Sequence, residues 1–429
     1  MSRAKRTPEA QQRARALTNG FIILMKSAMV HELNNEAVAR SIEKFRDALT
    51  DVFRGNDEVV LRFIEEMVYV NGVLVRPDVG LYEMLQSVER VLANLKMREV
   101  TISGRLDRRD LREFLGAIKK YMTMTDGHEG FHAQRFDKIH VRDIKESGGQ
   151  VEMSDQMRAL RAYLAALLTL KSLILRIEQN KKVSIAPTKR ATRDLTTMVY
   201  ANEAVMLGMI QMRRYRGRTF NRLVNCAVIA VAMCHRLGVD RVAAAETALG
   251  AVLHDLDWTG KRDRKKTVHQ LVRIYRGERV GRLRVTIASD VDRVDGLGPS
   301  RVIGVASQYE KLTTIGNKND GPVLPDEALR RIEADPRFDK VAVKLLVSTL
   351  GIYPVGTTVQ LDDGCIAIVV ELPDDGRSLA EPIVKVVKDA GGGGADGRLE
   401  DLSQSGTPHI ARTLEPEPLE LNVTHFFLA

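Results

Sequence analysis

Residues 220–257, "FNRLVNCAVIAVAMCHRLGVDRVAAAETALGAVLHDLD", decide how the rest of the chain is read. Apolar residues recur three and four positions apart from Leu223 to Met233, and again from Val242 to Leu253. That is the spacing of two buried helices. Leu237-Gly238 interrupts the run, at a place where glycine suits the left-handed end of a helix. The second helix ends on His254–Asp255. An imidazole beside a carboxylate suits a metal ion, but one such pair cannot hold a metal cluster. Either further ligands arrive from neighbouring helices, or the pair only ties the bundle together by hydrogen bonds.

The helical texture extends upstream through "DQMRALRAYLAALLTLKSLILRIEQN" (155–180) and "TRDLTTMVYANEAVMLGMIQMRRY" (192–215). These stretches predict a helical connector over 155–210 and a helical domain over 211–351. Nearer the N-terminus, 14–53 and 81–96 carry the same period. "MVYVNGVLVRPD" (67–78) sets two short alternating runs around Asn71-Gly72, a dipeptide that accepts the positive φ angles of a two-residue hairpin. "REVTISGRLDRRDLREFLGAIKKYM" (98–122) reads as a strand and then a helix with Asp107 as its N-cap. Together 10–125 form a small α/β domain without a catalytic constellation. The segment 126–154 is polar and reads as a linker with one short strand-like run. Its His128, His132 and His140 match no common metal spacing.

After 351 the pattern turns β-branched and alternating, in "GIYPVGTTVQLDDGCIAIVVELP", "PIVKVVKD" and "HIARTL". A small β module over 352–429 is expected, with 421–429 docking as its last strand. Its "GGGGADG" (391–397) lacks the Lys-Ser/Thr that completes a phosphate loop, so it reads as a turn. The expected fold class is multidomain α+β, mostly α-helical.

Composition narrows the function classes. The three cysteines, Cys226, Cys234 and Cys365, have no C-x-x-C spacing, which argues against a disulfide framework and a thiolate zinc site. Cys226 and Cys234 lie in an apolar helix as core residues. The N-terminus is basic without the apolar stretch of a secretory leader, and no apolar run is long enough to span a bilayer, so a cytoplasmic location is expected. The net charge of +9 is unevenly placed: 261–284 holds ten Lys or Arg against two acids. Another five arginines fall in 213–222. Arg213, Arg214, Arg216, Arg218, Lys265 and Lys266 are candidate anion-binding residues, against the plainer reading of a solvated basic face.

The order of three blocks carries a resemblance. Residues 220–257 are followed by "DGLGPSRVIGVASQYEKLTT" (295–314) and "RFDKVAVKLLVSTLGIYPVGTTVQLDDG" (337–364). This order is similar to that of the HD-GYP family of HD phosphohydrolases, which hydrolyse the bacterial second messenger cyclic di-GMP with Mn or Fe ions. The resemblance covers roughly 210–370. It implies ligand positions at Arg222, His254, Asp255, His269, Asp290, Val291 and Ser307, of which His254 and Asp255 are intact. Asp295, Gly296 and Gly298 remain from the family's Gly-Tyr-Pro block, and Glu310 stands at its second acid. The lysine that follows the family's His-Asp pair is absent from Leu256-Asp257-Trp258.

Arginine at a ligand position is decisive in sign, because a guanidinium stays charged and cannot bind a cation. Arg222 is therefore expected to pair with Asp255. Three readings follow. The first is a non-catalytic HD-GYP-like regulatory or protein-interaction module with no cofactor, whose metal site is largely lost. The second is a metal-dependent phosphohydrolase of cyclic di-GMP or another nucleotide, using a site remodelled from His254, Asp255, His269 and Asp290 with Mn or Fe. The third is nucleotide or nucleic-acid binding without hydrolysis. The expected partners are a signalling protein, a nucleotide or cyclic di-GMP, and a second copy in a homodimer, but no membrane.

Overall fold

A computed structural model of the chain describes residues 8–53, 57–64, 67–75, 79–143, 154–210, 219–256, 264–276, 281–316, 321–373, 378–395, 397–419, 421 and 423. The fold is mostly helical α+β, and the chain divides into two compact units, Met1–Glu152 and Met153–Ala429.

In the first unit, α1 (Pro8–Val30) and α2 (Glu36–Phe53) precede β1 (Glu58–Ile64), β2 (Met67–Val70) and β3 (Val73–Val75). Then come α3 (Val79–Asn94), β4 (Glu99–Ser103), α4 (Arg108–Tyr121), α5 (Gly127–His132) and β5 (Ile139–Arg142). The strands form one antiparallel sheet in the order β3-β2-β1-β4-β5. One face of it, with Val59, Leu61, Phe63, Val70, Val100 and Ile102, joins Phe21, Phe45, Leu85 and Phe114 of the helices in a common core. Asn71 and Gly72 take φ of 50° and 75°, as the hairpin requires. Asp107 caps α4 by accepting from the N–H groups of Arg109 and Asp110, and the Asp110 carboxylate returns the bond to the Asp107 N–H.

The stretch expected as a linker, 126–154, differs from that expectation over its first part. It supplies α5, and β5 extends the sheet beside β4. Phe131 and Ile139 enter the core, with Phe136 and Val141 packed against it.

The second unit begins with α6 (Asp155–Glu178), α7 (Ala186–Ala201), α8 (Glu203–Met209), α9 (Thr219–Arg236) and α10 (Arg241–Leu253). It continues with α11 (Arg264–Ile274), α12 (Gly281–Ser289), α13 (Gly298–Thr314), α14 (Pro325–Ala334) and α15 (Lys340–Leu350). Helices α9 and α10 are buried nearly all round, as their unbroken apolar sequence dictates. Gly238 turns the chain between them at φ 69°, and Asp240 caps α10. The helices of 155–210 are walls of this same bundle rather than a separate connector: α6 and α7 both pack on α9.

Glycines let α10 and α13 approach their neighbours. A Cβ on Gly304 would stand 2.2 Å from the Val291 carbonyl oxygen, and one on Gly250 would stand 2.6 Å from Ile287 Cγ2.

Five strands follow: β6 (Thr358–Leu361), β7 (Ile366–Glu371), β8 (Ile383–Lys388), β9 (Leu399–Asp401) and β10 (Ile410–Leu414). They form an antiparallel sheet in the order β10-β6-β7-β8-β9 around Val359, Leu361, Ala367, Val369, Val384 and Val386. The glycine run is a turn held by Asp389, whose carboxylate accepts from the Gly393 N–H. The last strand expected over 421–429 lies almost wholly outside the described residues. Among the described residues no helix is long and apolar enough to cross a membrane.

Candidate functional site

Three helices bring the singled-out residues together. His254 forms the C-cap of α10, so it and Asp255 emerge where that helix stops. Arg222 and Asn225, three apart on α9, share a face, as do Ser307 and Glu310 on α13.

Arg222 Nη2 donates to Asp255 Oδ2 at 2.5 Å, in the pairing expected from the sequence. Both residues are withdrawn from water, at 8% and 3% exposure. The contact is one-pointed: Arg222 Nε and Asp255 Oδ1 are buried without a hydrogen-bond partner.

His254, 1% exposed, has its ring fixed from both sides. Nδ1 lies 2.6 Å from the Ala251 carbonyl oxygen, which can only accept, so Nδ1 carries the proton. In the neutral ring Nε2 is then the acceptor, and the Ser307 hydroxyl donates to it at 2.8 Å. The nitrogen lone pair that a metal would need is directed at that hydroxyl.

Behind this pair runs a second buried network that sequence reasoning missed. Tyr163 of α6 donates to Asn225 Oδ1 at 2.6 Å, Asn225 Nδ2 donates to Glu310, and Thr314 donates to the other Glu310 oxygen at 2.6 Å. Burial, with the Glu310 charge, pushes the Tyr163 phenol well above its ordinary range, so it remains a donor. The available signal was Asn225, a lone amide in the otherwise apolar "LVNCAVIAV".

The remaining candidates lie elsewhere. His269 is exposed on α11 beside Lys265 and Lys266. Asp290 follows α12 and accepts from the Ser289 hydroxyl at 3.2 Å, whereas Val291 is buried. Asp295 is paired with Arg293, whose guanidinium holds its carboxyl below the usual range. A Cβ on Gly296 would stand 3.0 Å from the Asp290 carbonyl oxygen, and Gly298 opens α13. Arg213, Arg214, Arg216, Arg218, Asp257 and Trp258 lie outside the described residues. His132 Nε2 donates to the Leu95 carbonyl oxygen at 2.9 Å within the first unit, distant in sequence from any ligand motif.

Among the described residues no three His, Cys, Asp or Glu side chains group as a metal site. A guanidinium stands at ion-pair distance from the one carboxylate of the pair, and the imidazole nitrogen is engaged. As arranged, these side chains do not fit a two- or three-ion Mn or Fe centre.

No protein-family model matches the chain. Over 223 residues, 45% of its length, the chain is 23% identical to the cyclic di-GMP phosphodiesterase PA4108 of Pseudomonas aeruginosa. The match spans about half of that relative, 53% of its length. Among solved structures, Bd1817, an HDG"Y"P protein from Bdellovibrio bacteriovorus, aligns over 68% of this chain and 94% of its own, at 13% identity and a TM-score of 0.39. The sequence match supports an HD-GYP-like HD domain in this chain.

Proposed function

We propose that this domain is a non-catalytic HD-GYP-like module, serving bacterial signalling by regulatory or protein–protein contact rather than by phosphodiester hydrolysis. The observation that carries the reading is the buried Arg222–Asp255 ion pair. In metal-assisted hydrolysis, ions supply the positive charge that acidifies a water and neutralises the phosphodiester. Here a fixed guanidinium supplies the positive charge that the Asp255 carboxylate needs, and it repels an incoming cation. The Ser307 hydroxyl on His254 Nε2 supports the same reading.

The test is metal content. The protein is purified anaerobically, loaded with Mn and with Fe, and compared with a His254→Ala/Asp255→Ala variant by elemental analysis. The expected result is no metal above the variant and no hydrolysis of cyclic di-GMP. Two or more equivalents that disappear in the variant would overturn the reading in favour of a remodelled phosphohydrolase.

A further inference from the structure

Charge in the second unit is divided between its helices and its sheet. Residues 153–351 hold 35 Lys or Arg against 20 acids, whereas 352–429 hold five against 13. Such a division bears on association rather than on fold.

The basic excess gathers on one group of helices. Together α7, α11 and α12 carry nine Lys or Arg and one acid, Asp194. The Tyr275 ring, just past α11, draws the three helices together. Lys189 Nζ of α7 stands 5.8 Å from its centroid, and Arg284 Cζ of α12 stands 5.7 Å from it. Glu246 of α10 reaches the same place but is already engaged. The Arg284 hydrogen bonds, and then the charges of Lys189 and Arg193, hold its carboxyl below the ordinary value.

Around this centre Arg190, Arg193, Arg276 and Arg282 are exposed. Two aliphatic side chains stand among them. Val272, one turn before Arg276, is 55% exposed, and Leu283, next to Arg282, is 54% exposed. Cations interleaved with aliphatic side chains suit a protein partner, because the charges steer the encounter and burial of the apolar surface holds it.

The opposite charge lies in the β module. The turn between β6 and β7 and the loop between β9 and β10 border a cleft of about 830 Å³. Its lining holds the carboxylates of Asp362, Asp363 and Glu381, no Lys or Arg, and the apolar Leu402 and Pro408. The elements that carry the two faces pack elsewhere: α11 on α12, α12 on α10 and α13, and β7 on α8.

We propose that the basic face of α7, α11 and α12 docks on the acidic β-module cleft of a second copy of this chain. Every copy carries both faces, so charge complementarity is met in equal number without another partner. No metal takes part, so the inference goes beyond the reading of the His254–Asp255 pair and does not depend on it.

The experiment is sedimentation velocity of the full chain over a range of concentrations, at low salt and at about 1 M salt, where the screening length is about 3 Å. Self-association is expected at low salt and is lost at high salt. Arg276→Glu/Arg282→Glu and Asp362→Lys/Glu381→Lys are each expected to weaken it about tenfold, a loss of about 1.4 kcal/mol. A chain with all four reversals should recover it, since each face again meets its opposite. Circular dichroism confirms that each variant is folded. Where a reversal fails to fold, the milder Arg276→Gln/Arg282→Gln or Asp362→Asn/Glu381→Gln tests the same direction. A chain that stays monomeric at low salt would overturn the proposal. So would association that either pair of reversals leaves unchanged, or that the four together do not restore. Duplex DNA and phosphatidylserine vesicles are titrated onto the same samples. If either binds while the chain alone stays monomeric, and Arg276→Glu/Arg282→Glu abolishes that binding, the occupant is not a second copy and the proposal falls.

Discussion

At the scale of single residues, the strongest expectation concerns Arg222. Removing one partner of a buried ion pair leaves the other charge uncompensated, at a cost of about 3–5 kcal/mol. Arg222→Ala should therefore lower the melting temperature of the second unit sharply. The double variant Arg222→Met/Asp255→Leu should recover most of the loss, because an apolar pair of similar volume has no charge to desolvate. An unchanged melting temperature in the single variant would show that the pair does not hold the domain together. Tyr163→Phe tests the neighbouring network. It strands the buried Asn225 oxygen, and a loss of about 1–3 kcal/mol in denaturant unfolding is expected.

At the scale of elements, close approach and charge pairing give separate predictions. Gly304→Ala would drive a Cβ into the Val291 carbonyl at 2.2 Å, and only a backbone shift between α12 and α13 can relieve that. Gly250→Ala meets side-chain atoms instead of backbone, Ile287 Cγ2 at 2.6 Å and Ile303 Cδ1 at 3.0 Å, and part of that strain can be relieved by side-chain adjustment. Chemical denaturation should rank the first variant as clearly less stable than the second, with overpacking costs of about 1–3 kcal/mol as the guide.

Helices α10 and α12 are joined by Glu246 and Arg284, whose two nitrogens each lie 2.7 Å from a carboxylate oxygen. That fork holds the Glu246 carboxyl below its ordinary value. Its folded pKa is the lower one, so its stabilisation is complete above the unfolded value of about 4.3 and is lost as pH falls through the folded value. The gap in melting temperature between the wild type and Glu246→Gln should be widest near neutrality and close on acidification. A gap that widens in acid would contradict this sign.

The same elements show what the sequence made legible. The Asn71-Gly72 turn and the Asp107 cap were readable because each is set by residues within a few positions of one another. The Arg222–Asp255 pair was readable because charge chemistry at a ligand position leaves few partners. The Tyr163–Asn225–Glu310 network was not, because its members lie 62 and 85 positions apart and only packing brings them together. Strand β5 was legible as a short strand-like run, but its place in the sheet was not, because that depends on pairing with β4.

At the scale of the whole molecule, each unit closes its own core. The cluster from Ala14 to Ile139 draws on the first unit alone, with α1 to α5 and all five of its strands contributing or pairing. A chain with a self-sufficient core folds as an independent body. The fragment 1–152 is therefore expected to unfold cooperatively by itself. In the full chain, Arg222→Ala should lower one thermal transition and leave unmoved the one that matches this fragment. Differential scanning calorimetry of the fragment, the full chain and the variant separates the cases. If the variant shifts every transition together, the two units are thermodynamically one body. In that case the state of the Arg222–Asp255 pair would be felt by the N-terminal sheet, which gives a physical route by which a partner on one unit biases the other.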